Sequence, residues 1–476
     1  MTADLTELSA VALRDLLRVG AVSPREVAVA FTEAIAARDA FVGAFSQHDP
    51  ALAAMQLDDL YRQPPEERGP LWGLPGGDKD LYDRAGAVTG FGSRANSPHP
   101  ARRTHRLLQL ADRAGMVSLG RTSVPEFGLP CYTEPLDWPT AHNPWRLDRN
   151  AGGSSGGAAA AVSAGMLPFA IGTDGGGSVR IPAASCGLVG LKHSRGRTAA
   201  LTVAESASGL IVEGCIAHDV TDAALLSEGL VWADARLSGG SAAPTTALTD
   251  RLLQQDGPAS HARVALLEGS PWDAFTDITV TAEIRSRTEE IAAALADQGH
   301  EVQRIRLVEE DRYGAAFSVL WQAGAAAAVP ADVDTSLLEP LTAWLVAQGR
   351  TVVEADIQQA LQLLRGYAER VETQFTPWDA VLTPALADTA RPNGWYDPVD
   401  ARRNFAQQCQ FTPFTSFVNV LGAPAITLPT GLAADGLPIG VQLIGHIGDE
   451  ARLLELARGL ELAGEVFALR PSIDAC

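Results

Sequence analysis

Lysine is almost missing from this 476-residue chain: of its 37 lysines and arginines, only Lys79 and Lys192 are lysine. Arginine keeps its proton inside a protein, whereas a desolvated lysine can lose it. The two retained lysines therefore mark positions where a cation able to become neutral has been kept. Cysteine is sparse too. Cys131, Cys186, Cys215, Cys409 and Cys476 are scattered, odd in number and never spaced CxxC. That pattern predicts thiols serving as small core residues in a reducing cytoplasm. There is no HExxH, and the nine histidines do not cluster with cysteine, so no metal is expected. Long hydrophobic runs are absent; the most apolar stretches, such as 157–171, are short and rich in Gly and Ala. The opening MTADLTELSAVALRDLL has no basic segment ahead of an apolar core, which argues against a secretory signal. Positive charge is in deficit overall, with a formal net charge of −20. Such a surface repels phosphate backbones and anionic headgroups, so neither nucleic acid nor membrane is expected as a partner.

What is present is an ordinary globular balance, 46% hydrophobic and 20% charged, in a chain long enough for a large core. Ser23-Pro24-Arg25-Glu26 supplies an N-cap, a proline at the first helical position and a capping-box glutamate before VAVAFTEAIAA. PPEERGP at 64–70 reads as a surface connection. Residues 103–114 predict an amphipathic helix, followed by a buried strand in MVSLGRTS. Helix followed by short apolar strand recurs at 281–308, after the strand ARVALLE, and again at 354–384. This alternation predicts an α/β sandwich with a mainly parallel sheet. At 423–444, two apolar runs around AADG predict an antiparallel pair near a sheet edge. The Ser/Gly/Ala/Pro-rich segment 234–260 reads as a surface excursion.

Chemistry concentrates at 150–197, NAGGSSGGAAAAVSAGMLPFAIGTDGGGSVRIPAASCGLVGLKHSRGR. A flexible linker lacks flanking apolar elements; here GGAAAAVSAGM predicts a small-faced helix and LPFAIG a strand running into TDGGGS. Two glycine-flanked serines, Ser154 and Ser178, thus sit at the ends of a buried helix–strand unit. A phosphate-cradling loop would need GxxxxGK[ST], and no lysine follows these glycines. Gly152–Gly156 also fits GxSxG, the nucleophile elbow of α/β-hydrolases. That elbow must follow a strand, yet the turn-like NPWRLDRNA precedes it, and its triad would have to recruit an acid and a histidine such as His446. Lys79, in the apolar, Gly-rich LWGLPGGDKDLYD, is a candidate general base. Its plain alternative is a surface lysine beside Asp78 and Asp80.

Taken together these blocks resemble the amidase signature family. GGSSGG at 152–157 and GTDGGGSVRIP at 172–182, followed by CGLVGLKHSRGR, are similar to its signature; GDKDLYDRAG is similar to its lysine segment. LGRTSVPEFG, HNPWRLDR and FTPFTSFVNVLGAPAITLPTGLAADGLPIGVQLIG are similar to further segments, so the likeness runs from about residue 70 to 460. It implies one large α/β domain with a mixed, mostly parallel twisted sheet covered by helices on both faces. Residues 1–70 would be a helical region packed on a core of 71–476, with a variable surface segment near 234–260. The implied activity is hydrolysis of a carboxylic amide or hydrazide, at linear C–N bonds other than peptide bonds, without a cofactor. Lys79 would be the base, Ser154 a bridging serine on a cis peptide after Gly153, and Ser178 the nucleophile. Backbone N–H groups of Gly175, Gly176, Gly177 and Ser178 would form the oxyanion hole. Asp174 and Arg180 would pair around the turn, Ser155 would hydrogen-bond within the site, and Lys192 would be structural.

The resemblance also implies pocket walls in the segment Gly128–Tyr132, so Leu129, Cys131 and Tyr132 are expected at the acyl group. Trp321 is a further candidate, although a helical core position is the expectation for it. Two departures stand out: Ala151 replaces the usual proline, and Asp78 replaces the usual hydrophobic residue before the lysine. Asp78 turned inward would raise the Lys79 pKa and disfavour the base form, so it is expected to point away. The expected partner is a small amide-type molecule, with a homodimer permitted. Two other functions remain: the glutaminase subunit of a tRNA-dependent amidotransferase, and a non-catalytic binding protein on the same fold.

Overall fold

The central strands of this chain are buried at nearly every position because both of their faces are covered. A computed structural model describes residues 4–96, 99–201, 209–240, 247–467 and 470–472. A three-stranded sheet is made by β1 (Phe45–His48), β2 (Pro75–Lys79) and β3 (Val117–Thr122), in the order β1-β3-β2. A two-stranded ribbon follows, β4 (His142–Asn143) and β5 (Arg146–Asn150). The large sheet contains β6 (Phe169–Asp174), β7 (Val189–Lys192), β8 (Val212–Ala217), β9 (Arg263–Glu268) and β10 (Glu301–Arg306), with β11 (Ala380–Pro384), β12 (Ala425–Leu432) and β13 (Pro438–Ile444). Its order is β10-β9-β11-β13-β12-β7-β8-β6.

Successive side chains of a strand point to opposite faces, and here the two faces feed two different cores. Val264 and Leu266 of β9 join one apolar cluster, together with Ile426, Val441 and Leu443. Ala265 and Leu267 join the other, with Val381 and Ile444. The first cluster is completed by helices that include Pro24–Val42, Gly156–Ser163 and Val220–Leu237; the second by helices that include Tyr313–Ala328, Glu354–Phe375 and Ala401–Phe411. The mixed α/β domain is therefore as expected, but the weighting of its sheet is not. Among the described residues β10–β9 and β9–β11 pair in parallel, and the other pairings of the large sheet are antiparallel. A strand buried on both faces reads the same whichever way its neighbour runs, so apolar runs could not reveal direction. For the same reason β12 and β13, antiparallel as expected, lie at the centre of the sheet and not near its edge.

Residues 1–70 are not purely helical. The helices Ala10–Arg18, Pro24–Val42 and Pro50–Arg62 place Leu13, Phe31 and Leu57 in the first cluster, while β1 pairs with β3 in the sheet that carries Lys79. Ser23 and Glu26 close the capping box read from the sequence. The segment 234–260 contains the helix Ala247–Gln254, whose Leu252 is buried; residues 241–246 lie outside the described set. Cys131, Cys186, Cys215 and Cys409 are buried and unpaired, and Cys476 lies outside the described residues. Among the described residues no helix is long and apolar enough to cross a membrane, and no cluster of acidic, His and Cys side chains is placed to hold a metal.

Candidate active site

Lys79 is the last residue of β2, and strand alternation sends it and Asp78 in opposite directions. Asp78 faces away, gripping Arg84 through Nε–Oδ2 (2.5 Å) and Nη2–Oδ1 (3.0 Å). Lys79 turns inward and is 1% exposed. Its Nζ lies 3.0 Å from Ser154 Oγ, 2.8 Å from Ser155 Oγ, and 3.1 and 3.2 Å from Thr173 Oγ1 and the Thr173 carbonyl oxygen. Among the described residues no carboxylate contacts it. An ammonium taken from water with only neutral oxygens around it loses more solvation than it regains. Burial accordingly lowers the Lys79 pKa to about 7, with the charge of Asp174 opposing the shift.

Ser154 and Ser155 lead into the helix Gly156–Ser163, and the Gly153–Ser154 peptide is cis. The glycines here permit close approach: a Cβ on Gly153 would stand 2.7 Å from the Tyr132 backbone nitrogen. Ser178 lies in the turn between β6 and the helix Arg180–Ser185. The Ser155 N–H donates to the Ser178 carbonyl (3.2 Å), tying the two serine segments together. The Ser178 hydroxyl has no hydrogen-bond partner among the described residues, so a Ser154–Ser178 hydroxyl bond is not formed in this state. Catalytic hydrogen bonds commonly tighten only when substrate is bound.

The turn is held from behind. Arg180 donates to both Asp174 carboxylate oxygens (2.9 and 2.8 Å), to the Thr415 carbonyl, to Gln442 Oε1 and to Asn419 Oδ1, which uses all five of its donors. Both charged side chains are fully buried, and the pairing with Arg180 keeps the Asp174 carboxyl well below the usual carboxylate range despite its burial. The peptide joining Gly176 to Gly177 is fixed at both ends. Its carbonyl accepts from Thr415 Oγ1 (2.6 Å), and its N–H donates to Asp174 Oδ1 (2.8 Å). Gly177 is thus removed from the expected set of oxyanion donors, because its N–H closes the turn on Asp174. The N–H groups of Gly175, Gly176 and Ser178 have no partner among the described residues. Gly177 itself has φ +129°, with Thr415 Oγ1 2.6 Å from where a Cβ would lie, so only glycine fits.

Beside Ser178 opens a narrow cleft lined by Leu129, Cys131, Trp272, Phe317, Trp321 and Phe405, with Gly176 and Ser178 in its wall. Leu129 and Cys131 are there as expected. Tyr132 is not: its ring stacks on Tyr396 (centroids 4.0 Å) and its hydroxyl accepts from Asn404 Nδ2. Trp321, expected in a helical core, instead lines the cleft, stacked on Phe317 and covering Gly175 and Gly176. Lys192 donates to the carbonyls of His193 and Ala423, a structural role. His446 Nε2 lies 2.7 Å from the Trp378 carbonyl oxygen, and Ser154 Oγ has Lys79, not a histidine, as its partner, although the segment before Ser154 contains the strand β5 and is not the turn expected.

A family model described as Amidase matches residues 26–454. The chain belongs to the amidase signature family. As an amidase it hydrolyses amide C–N bonds. It is 34% identical over 418 residues to AmiB2 of Mycobacterium tuberculosis, named as an amidase, covering 86% of this chain and 85% of that one. Its fold is similar to that of a 6-aminohexanoate cyclic dimer hydrolase, with a TM-score of 0.85, 29% identity and coverage of 99% and 100%. It is also similar to one subunit of the glutamyl-tRNA(Gln) amidotransferase of Thermotoga maritima, with a TM-score of 0.76, 26% identity and 100% of each chain covered.

Several residues of this amidase escaped the sequence reading. Thr173, next to Asp174, brings two oxygens to Lys79; its only signal was a hydroxyl inside the GTD block. Thr415, Asn419 and Gln442 hold the Ser178 turn from more than 230 residues away. They lie in the family-like C-terminal segment, but nothing local marks them as partners of Arg180.

Proposed function

We propose that this amidase cleaves linear carboxamides and related hydrazides through an acyl-enzyme on Ser178, with Ser154 as proton bridge and Lys79 as base. The observation that carries this is a fully buried lysine, free of any carboxylate contact among the described residues, 3.0 Å from Ser154 Oγ. Neutral Lys79 accepts the Ser154 proton as Ser154 Oγ takes that of Ser178, and Ser178 Oγ attacks the carbonyl carbon. Negative charge developing on the substrate oxygen falls to the N–H groups of Gly175, Gly176 and Ser178, where each donor contributes on the order of 3 kcal/mol. Collapse expels the nitrogen, which takes its proton back from Ser154 while Lys79 returns one to that serine. Water then attacks the acyl carbon, giving its proton to the same relay; collapse breaks the acyl–Ser178 bond, releases the acid, and the relay returns that proton to Ser178 Oγ.

Ser178→Ala should abolish turnover while leaving substrate binding measurable, and Lys79→Ala should also collapse activity. His446→Ala should not. Essential His446 with dispensable Lys79 would overturn the assignment. The full-length likeness to an amidotransferase subunit supports a second reading, a glutaminase working within a complex. Turnover by the purified chain alone favours the self-sufficient hydrolase; activity only with added partner subunits favours the complex.

A further inference from the structure

The cleft beside Ser178 carries information about substrate. It contains no Asp, Glu, Lys or Arg among the described residues. The polar side chains in its wall are already occupied. Gln408 accepts from the Cys131 N–H and donates to Asn404 Oδ1. Thr412 donates to the Gln408 carbonyl. Ser416 Oγ accepts from Trp272 Nε1 and shares a second hydrogen bond with the Tyr313 hydroxyl. Apart from the unpartnered N–H groups of Gly176 and Ser178, what the cleft offers a ligand is carbon surface, the Cys409 thiol and the hydroxyl of Ser178; the Cys131 thiol is shared with the Tyr396 hydroxyl (3.4 Å).

Position identifies which half of the substrate enters. Gly176 and Ser178 line the cleft, whereas Ser154, which protonates the departing nitrogen, does not. The acyl group therefore points into the cleft and the amine leaves on the Ser154 side. The aromatic side chains are arranged to take a ring. Phe317 and Trp321 lie nearly parallel (interplanar 19°, centroids 5.6 Å), and Trp272 meets Phe317 edge-on (75°, 5.4 Å). Faces and edges are thus both presented, the two geometries in which rings pack favourably.

We propose that this amidase selects amides whose acyl half is uncharged and ring-bearing, with Trp321 as the specificity-determining residue. The proposal rests on Ser178 being the nucleophile. A glutamine side chain would bring an α-ammonium and an α-carboxylate into a cleft that has no charged side chain to pair with either. Burying unpaired charge is strongly unfavourable, so the cleft argues against a glutaminase.

The test uses the full chain and compares kcat/KM for benzamide, hexanamide, acetamide, succinamate and glutamine. Benzamide should exceed glutamine and succinamate by about 100-fold or more, and hexanamide by about 10-fold. Trp321→Ala should lower kcat/KM for benzamide about 10-fold more than for acetamide, chiefly through KM, with Trp321→Phe recovering much of the loss. Glutamine or succinamate turned over as well as benzamide overturns the proposal, as does hexanamide preferred over benzamide; neither comparison depends on a variant folding. Methanesulfonyl fluoride, too small to use the cleft, reads the nucleophile separately by mass. An adduct on Ser178 with no aryl preference overturns the pocket and leaves the nucleophile standing. No adduct on Ser178 overturns the nucleophile assignment instead.

Discussion

Activity should rise as the solution becomes less acidic, with its inflection near pH 7. The perturbation is proton concentration and the responding group is Lys79, whose pKa burial lowers from 10.5 to about 7. Only the free amine can take the Ser154 proton. With that pKa the reactive fraction is about 10% at pH 6 and about 90% at pH 8, so kcat/KM should climb about ten-fold across the interval. Below pH 6 it should fall about ten-fold per pH unit. The assay is initial-rate kinetics at low substrate concentration, because kcat/KM reports the free enzyme's ionisations. Lys192 is a competing source for such a limb, since burial lowers its pKa to about 7 as well. Lys192→Gln, which can still donate to the His193 and Ala423 carbonyls, should keep the limb in place. A profile flat from pH 5.5 to 8.5, one that falls on raising pH, or a limb that vanishes with Lys192 would refute the reasoning.

Further outcomes follow from the same contacts. A lysine whose folded pKa lies below its unfolded value binds its proton more tightly when unfolded, so it adds stability as pH rises from about 7 to 10.5. That window is worth at most ~5 kcal/mol per lysine, and Lys79→Met should lower the wild-type slope of unfolding free energy against pH, measured by urea denaturation between pH 7 and 10, by about 1.4 kcal/mol per pH unit; an unchanged slope would contradict the buried amine. Thr415→Val frees the Gly176 carbonyl and should cut kcat about ten-fold with KM within about two-fold, while Thr415→Ser restores it; an equal loss in both variants would mean that the hydroxyl does not act. Arg180→Met leaves Asp174 buried and unpaired, and should cost about 3–5 kcal/mol in denaturant unfolding at pH 7. Asp174 has a lowered pKa, so its contribution is present above the ordinary value of 3.8 and is lost as pH falls below it; Arg180→Met should therefore lie closer to wild type in stability near pH 3 than at pH 7.

The parts of this site that could be read in sequence are those whose chemistry is local. Lys79 stood out because the chain uses arginine elsewhere, and the serines stood out because glycines surround them. Helices such as Ala282–Asp297 and Glu354–Phe375 announced themselves by periodicity. Strand direction elsewhere in the large sheet did not, because strands such as β6 and β8 are buried on both faces and their apolar runs carry no directional mark. The fate of Gly177 was hidden for a different reason: its N–H is claimed by Asp174, in a turn fixed by Thr415 and Asn419 far along the chain. Tyr132 stood apart from the cleft because its ring is held by Tyr396 and Asn404, distant in sequence, and Trp321 reached the cleft because one turn of a helix decides which side of a wall a ring occupies.

The most direct test of the central claim is to acid-quench the amidase during steady turnover of an aryl amide and map the acyl group by peptide mass. Acyl is expected on the peptide containing Ser178, at that residue, absent from Ser178→Ala and strongly diminished in Lys79→Ala. Acyl carried by Ser154, or turnover at full rate in Ser178→Ala, would contradict the claim.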